Sequence, residues 1–501
     1  MDRIRRRVLA AAAVAGMPAR AIAQATAREP VAPAPDCSHC RARLQTVAAL
    51  RSQLPADWRI GLEPEPVLGG EMLVVQAGPA GAPPLLLVHG LGQNGFTDWL
   101  PVMATLARRH RVLAVDLPGF GYSSTPPARL SPTHLARVLD GLLVRRQIGP
   151  LTVIGHSMGA AVALRLAADF PQRVAALVVV DAAGILHRTA FSKHATIGQL
   201  PSEGWPEALK EPAARLRDLG HLIVERLFGL PFDPTEVLRA NDWLWPLVLG
   251  DRASINAALA LVDEDFSAVV HTLAQPVHLI WGEADAVAPL RTGELLARRL
   301  PRAQLSTLPG VGHMPMAQAP GEFLLRLERA LREPPLPRPA EAGAGDGALQ
   351  DLLCIGEVDR RHRGRYRELR IERCTALRLT DVVAERVIVR DSIVQMTGVR
   401  VQGGELALDI VNSELVATAC DFDGRTAIRS DASRLDLAGC RLQARGFAVQ
   451  VARRSRLVAS VSRIDDAFHR GWWHEDRELE GELLDPRAPL RRPPAASAPG
   501  S

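Results

Sequence analysis

Aromatic residues are scarce. They make up 4% of the 501 residues, with only two tyrosines, so the core has to be built from Ala, Val and Leu. Lysine is scarcer still. Lys193 and Lys210 are the only two, and arginine carries the remaining positive charge, which reads as coding bias rather than function. Cysteine is absent from the long middle of the chain, because the six fall at positions 37, 40, 354, 374, 420 and 440. There is no dense basic stripe either. The 60 positive residues face 55 negative ones for a net charge of +5, an excess too small and too dispersed for a nucleic-acid partner. After the first residues, no apolar run reaches the length of a membrane span, so no stable membrane span is expected. What is abundant is ordinary globular material, 47% hydrophobic and 23% charged, which excludes a disordered or collagen-like chain. The length predicts two or three domains.

Residues 1–25 read as a targeting segment. Arg3, Arg5, Arg6 and Arg7 precede an apolar run from Val8 to Gly16, about half of the roughly 20 residues needed to cross a bilayer. Ala21-Ile-Ala23 or Ala23-Gln-Ala25 fits a small-x-small cleavage site. The chain is therefore expected in the periplasm or secreted, with a twin-Arg export route open; an uncleaved basic helix or an organelle presequence is the alternative. Residues 26–57 are rich in Ala and Pro and carry Cys37-Ser-His-Cys40. Without a βαβ unit close behind it, and with Arg41 where haem attachment needs His, this pair reads as a local disulfide.

From residue 58 to 332 apolar strands alternate with helical stretches. Leu73–Gln76, Leu85–Val88, Val112–Val115, Leu151–Ile154, Val174–Val180, Val277–Trp281 and Gln304–Leu308 are short apolar runs. Most are nearly continuous rather than alternating, as strands buried on both faces of a parallel sheet require. Helical runs such as Met158–Phe170 and Arg291–Arg299 lie between them. The pattern is α/β and doubly wound, with sites expected beyond the carboxyl ends of the strands.

The chemistry-bearing residues fall at those ends. Gly155-His156-Ser157-Met158-Gly159 joins a strand to an Ala-rich helix. A serine there sits on a sharp turn at a helix N-terminus, the setting of a nucleophile. A hydroxyl is a weak nucleophile, so it needs a base and the base needs an orienting acid. Of the 14 histidines, His313 alone lies in a Gly-flanked loop after the last strand, Gly310-Val-Gly-His313, and is the expected base. Asp285, just past Trp281-Gly-Glu-Ala, is the expected acid; Asp181, after the strand ending at Val180, is its rival. Two backbone N–H groups must meet the developing oxyanion. Met158 follows the nucleophile, and the loop His89-Gly90-Leu91-Gly92 offers Leu91 as the second donor. His89 and His156 adjoin this site as structural or pocket-lining residues, and Asp116-Leu-Pro-Gly119 reads as a structural turn.

These motifs resemble the alpha/beta-hydrolase family. Four of them stand in family order: HGLG at 89–92, DLPGFGYS at 116–123, GHSMG at 155–159, and the late GEAD and GVGHM segments. The resemblance covers residues 58–332. It implies a serine-nucleophile enzyme with no metal and no cofactor, acting on a small-molecule ester or other acyl substrate; C–C hydrolases and perhydrolases carry the same signatures. Ser157 argues against the epoxide hydrolases and haloalkane dehalogenases, which use Asp in its place. The resemblance also implies a helical cap over 184–271. Its Trp205, Trp243, Trp245, Phe191, Phe228, Phe232 and Phe266 would form its own small core, with Trp243 and Trp245 the candidates to line a substrate pocket.

Residues 333–350 are rich in Pro, Gly and Ala and read as a linker. The texture then changes. Within 351–484, short apolar pieces recur from about 370 to 464: the segment from Val411 to Cys420 aligns with that from Asp431 to Cys440 at an offset of 20 residues, and Arg453-Arg-Ser455-Arg-Leu457 continues the pattern at 22. A short parallel β-helix is expected, with an antiparallel meander as the alternative. Cys420 and Cys440 would stack on adjacent coils as buried thiols. This region offers a face for a surface polymer or protein partner. A non-catalytic binding protein that keeps the hydrolase body as scaffold is the competing reading. The linker further predicts that a chain ending near Glu333 stays soluble and active. The tail, 485–501, is expected to be disordered.

Overall fold

The computed structural model describes residues 38–92, 94–190, 249, 252–337 and 349–479. The expected leader, Cys37, the tail, and most of the expected cap lie outside the described residues, Trp205, Trp243, Trp245, Phe191, Phe228 and Phe232 among them. Two compact units divide the chain, Met1–Leu54 and Pro55–Ser501. In the first, Ser38–Gln53 forms helix α1. No helix among the described residues is long and apolar enough to cross a membrane.

The second unit opens with an eight-stranded sheet. Strands β1 (Arg59–Pro64), β2 (Glu71–Ala77), β3 (Pro84–Val88), β4 (Arg111–Val115), β5 (Leu151–His156), β6 (Val174–Val180), β7 (Val277–Gly282) and β8 (Ala303–Leu308) take the order β1-β2-β4-β3-β5-β6-β7-β8. Pairing is antiparallel at β1–β2 and β2–β4 and parallel in every other pair. Each apolar run read from the sequence falls inside one of these strands. β1 was not expected, because Arg59-Ile-Gly-Leu-Glu-Pro64 is a half-exposed edge with too few apolar residues to stand out. Helices α2 (Leu100–Leu106), α3 (Pro132–Arg145), α4 (Met158–Asp169), α5 (Ala253–Val262), α6 (Ser267–Thr272), α7 (Leu290–Arg299), α8 (Pro315–Gln318) and α9 (Pro320–Arg332) cover the sheet. α3 begins at Ser131, whose hydroxyl accepts the His134 N–H, with Pro132 at the first helical position; both are strong start signals.

The repeats after the linker are parallel coils. β9 (Gln350–Ile355), β10 (Arg361–Glu372), β11 (Leu377–Arg390), β12 (Ile393–Thr397), β13 (Arg400–Gln402), β14 (Leu406–Val411), β15 (Glu414–Thr418), β16 (Asp421–Asp431), β17 (Arg434–Ala438), β18 (Arg441–Val451) and β19 (Ser455–Asp465) pair in parallel from coil to coil. Only β20 (Arg470–Leu479) runs antiparallel, closing on β19. A hydroxyl ladder fixes the register. The N–H of Cys374 donates to Ser392 Oγ at 2.9 Å, that of Ser392 to Ser413 Oγ at 3.0 Å, that of Ser413 to Ser433 Oγ at 3.1 Å, and that of Ser433 to Ser455 Oγ at 3.2 Å. The steps are 18, 21, 20 and 22 residues, which is the repeat seen in the sequence. A one-residue slip would turn every coil inside out and strand these groups without partners. Cys354, Cys374, Cys420 and Cys440 are buried free thiols.

The coils do not hang free of the α/β body. Ala438, Val458 and Val461 belong to the same apolar core as the sheet and its helices. Helix α7 supplies the polar part of this contact. Arg291 donates to both oxygens of Asp436 at 2.9 and 3.1 Å. Arg299, 7% exposed, donates to the Cys420 carbonyl at 3.0 Å and to Asp421 Oδ1 at 2.6 Å. On α6, His271 stacks on Trp472 with ring centroids 4.7 Å apart. The expectation of a separable body therefore meets a physical objection: a chain ending at Glu333 would uncover α7 and leave the Arg299 guanidinium with neither carbonyl nor carboxylate. Such a chain should be largely insoluble when produced beside the full-length protein. A soluble, monomeric fragment with full thermal stability would contradict this.

Candidate active site

The turn after β5 carries Ser157 at φ 52° and ψ −117°, a conformation rare for a residue with a side chain. Its surroundings impose that turn. The Ser157 N–H donates to Val180 O on β6 at 2.9 Å, and its carbonyl accepts from Ala160 and Ala161 in the first turn of α4. Helix and strand approach too closely for side chains on either flank. A Cβ on Gly155 would lie 2.3 Å from Gly159 O, and one on Gly159 would lie 2.3 Å from the Val88 and His89 carbonyls. The two glycines of the motif are thus a packing requirement of this strand–helix contact.

Ser157, His313 and Asp285 meet in one chain of hydrogen bonds, though 156 residues separate the first two. His313 Nδ1–H donates to Asp285 Oδ2 at 2.7 Å, which leaves Nε2 to accept the Ser157 hydroxyl at 2.9 Å. The other Asp285 oxygen accepts the N–H groups of Val287 and Ala288 at 2.7 and 2.9 Å. All three residues are buried. Asp181 lies beside Asp285 and accepts the Gly282 N–H at 2.9 Å. Burial, and next the charge of Asp285, hold the Asp181 carboxyl well above the usual carboxylate range.

The two expected oxyanion donors lie in segments next to the serine. Met158 opens α4 directly after it, where helical N–H groups lack intrahelical acceptors. Leu91 follows Gly90, whose Cα faces the site closely enough that a Cβ would stand 3.0 Å from Ser157 Cβ. His89 and His156 are buried, and each has a structural bond. His89 Nδ1–H donates to Gly90 O at 2.7 Å while Nε2 accepts the Leu117 N–H at 2.9 Å. His156 Nε2–H donates to the His313 carbonyl at 2.7 Å. Burial pushes these imidazoles down to about 4 and about 3. Asp116 clamps the same region, accepting from Phe96 N at 2.6 Å and Tyr122 N at 2.8 Å, and burial raises it to about 6. Its place fits the structural turn read from DLPGFGYS. Trp243 and Trp245 lie outside the described residues. Phe266, the described member of the cap aromatics, is a core residue under Arg165.

The sequence reading missed Asp98. It lies in the 3-10 turn Gly95–Trp99. Burial raises its carboxyl to about 6, against a downward pull from Asn94 and from His313. Its only sequence signal is an acidic residue between Thr97 and Trp99, shortly after HGLG.

His89 makes a pH test possible. Its folded-state value, about 4, lies below its ordinary 6.5, so between the two the unfolded chain binds the proton and the folded chain does not. That contribution is intact above the ordinary value and drains away as pH falls. In urea unfolding, the stability gap between wild type and a non-titrating His89→Asn variant should narrow by roughly 2 kcal/mol between about pH 7 and about pH 5. A gap that stays constant would show that His89 is not held neutral.

Comparison with known proteins identifies the fold family. The family described as alpha/beta hydrolase fold matches residues 83–320. An uncharacterized protein of Mycobacterium bovis is 34% identical over 260 residues, 49% of this chain and 74% of its own. A pimeloyl-[acyl-carrier protein] methyl ester esterase of Nitrosomonas europaea is 29% identical over 48% of this chain and 93% of its own. A 2-hydroxymuconate semialdehyde hydrolase of a Pseudomonas strain is 28% identical over 48% and 83%. The chain belongs to the alpha/beta-hydrolase fold family of hydrolases.

Proposed function

We propose that the protein is an exported serine hydrolase that cleaves a carboxylic ester or related acyl substrate through an acyl-enzyme. The observation that carries this reading is the unbroken Asp285–His313–Ser157 hydrogen-bond chain, 2.7 and 2.9 Å, ending on a serine at a helix N-terminus. Ser157 Oγ attacks the substrate carbonyl as His313 Nε2 takes its proton. The negative charge then moves onto the carbonyl oxygen, where the N–H groups of Met158 and Leu91 stabilise it. Asp285 holds the tautomer and stabilises the imidazolium that forms. Collapse expels the alcohol, which takes the proton back from His313. Water, deprotonated by the same nitrogen, then releases the acid. A methyl ester esterase among the relatives supports an ester over other acyl derivatives, and the Arg-rich leader motivates the assignment to the periplasm or outside. Rapid mixing of the full chain with short p-nitrophenyl esters tests the reading: hydrolysis should begin with a burst of p-nitrophenol close to one equivalent of enzyme. No turnover across a panel of acyl lengths would reject it.

A further inference from the structure

The first coil of the β-helix brings together three side chains that the hydrolytic reading does not use. Cys354 lies near the end of β9, Glu357 in the following turn, and His362 at the start of β10. Their ligand atoms all lie within 4.8 Å of one another. His362 Nε2 is 2.7 Å from Glu357 Oε2 and 3.7 Å from Cys354 Sγ. Both neighbours therefore sit at the same ring nitrogen. A nucleophile relay needs them on opposite nitrogens, as Asp285 and Ser157 are about His313. One nitrogen, one sulfur and one oxygen converging on a common point instead make the donor set of a cation.

The spacing agrees. Sulfur and nitrogen ligands at about 2.3 and 2.05 Å from a tetrahedral zinc ion stand about 3.6 Å apart, and the observed separation is 3.7 Å. The carboxylate has to draw back, to roughly 3.3 Å from the imidazole nitrogen. Glu357 is partly exposed, with 28% of its side chain accessible, and has room to do so. Its backbone is fixed on the next coil, because Glu357 O accepts the Thr375 N–H at 2.9 Å. Cys354 is fully buried and closes the back of the site, while His362 and Glu357 leave the front open to an arriving ion.

We propose that Cys354, Glu357 and His362 bind a zinc-class divalent transition-metal ion. A thiolate and an imidazole select such an ion over calcium or magnesium, which take oxygen ligands. Binding releases the Cys354 thiol proton to solvent as the sulfur–metal bond forms. Three protein ligands leave one position for water. The place in the fold gives the ion a task. β9 pairs only with β10 among the described strands, and Leu353, Ile355 and Val358 are exposed there. Open ends of solenoids need capping, and a cation held by β9, the turn and β10 ties this end together.

The test uses the full chain, stripped with a chelator and titrated with Co²⁺. One equivalent should produce a thiolate-to-cobalt charge-transfer band that Zn²⁺ abolishes by displacement. Glu357→Gln and His362→Ala, checked for folding by circular dichroism, should weaken Co²⁺ binding by about 100-fold or more. Cys354→Ser should remove the band, whereas Cys374→Ser should keep it. Ester turnover should be the same in Glu357→Gln as in wild type. No band with the wild-type chain, or a band that survives Cys354→Ser, would overturn the site.

Discussion

Ser157→Ala should lower ester turnover by about a million-fold while leaving the protein folded. The size follows from the division of labour. Without Oγ there is no acyl-enzyme, and neither His313 nor the backbone donors can substitute for the bond that Ser157 forms. The fold should tolerate the change for a separate reason. What imposes the strained turn is the backbone bond to Val180 and the close approach of Gly155 and Gly159, and alanine keeps both. A variant with the wild-type melting temperature and no burst is the expected outcome. Retention of even a few per cent of wild-type turnover would mean that another group is the nucleophile.

Asp285→Asn should cost roughly 10⁴-fold in turnover, and the geometry says why. One carboxylate oxygen accepts two N–H groups, from Val287 and Ala288, so the amide oxygen must take that position. The amide nitrogen then faces His313 Nδ1, which can no longer donate. The ring is forced into the tautomer with Nε2 protonated, and that nitrogen can no longer accept the proton of Ser157. Asp181→Asn is the control. His313 donates to Asp285 and not to Asp181, and burial already disfavours the charged form of Asp181, so turnover should fall far less. The two variants are to be compared on one short ester at a single neutral pH. If Asp181→Asn proved the more damaging, the acid would belong at the end of β6.

The site was legible in the sequence because its parts are constrained by backbone geometry. Gly155 and Gly159 are required by contacts that admit no Cβ, and His313 and Asp285 stand where strands of a parallel sheet must end. The coil repeat was legible from Val411 onward because a serine recurs there at each turn, at 413, 433 and 455. It was not legible before 370. β9 is a single short run, Gln350–Ile355, the first part of β10 alternates arginines with few apolar residues, and Cys374 holds the ladder position that serine takes later. The role of α7 was hidden for a related reason. Arg291, Arg298 and Arg299 look like a solvated face, yet Arg291 and Arg299 reach carboxylates or carbonyls of the coils, and Arg298 pairs with Asp381 at 2.6 Å. Partners more than 80 residues away carry no local signal. Asp98 and the Cys354–Glu357–His362 cluster were missed alike, since residue type alone does not tell which side chains converge.

The central claim is that Ser157 is the nucleophile of a working acyl-transfer site. Its most direct measurement is covalent. The full chain is treated with a serine-directed fluorophosphonate, digested, and the adduct located by mass spectrometry. The account predicts one adduct per chain, on the peptide containing Ser157. It should be absent from Ser157→Ala and slowed by a competing short ester. An intact chain that takes no label, or one labelled at a different serine with Ser157 untouched, would contradict the account.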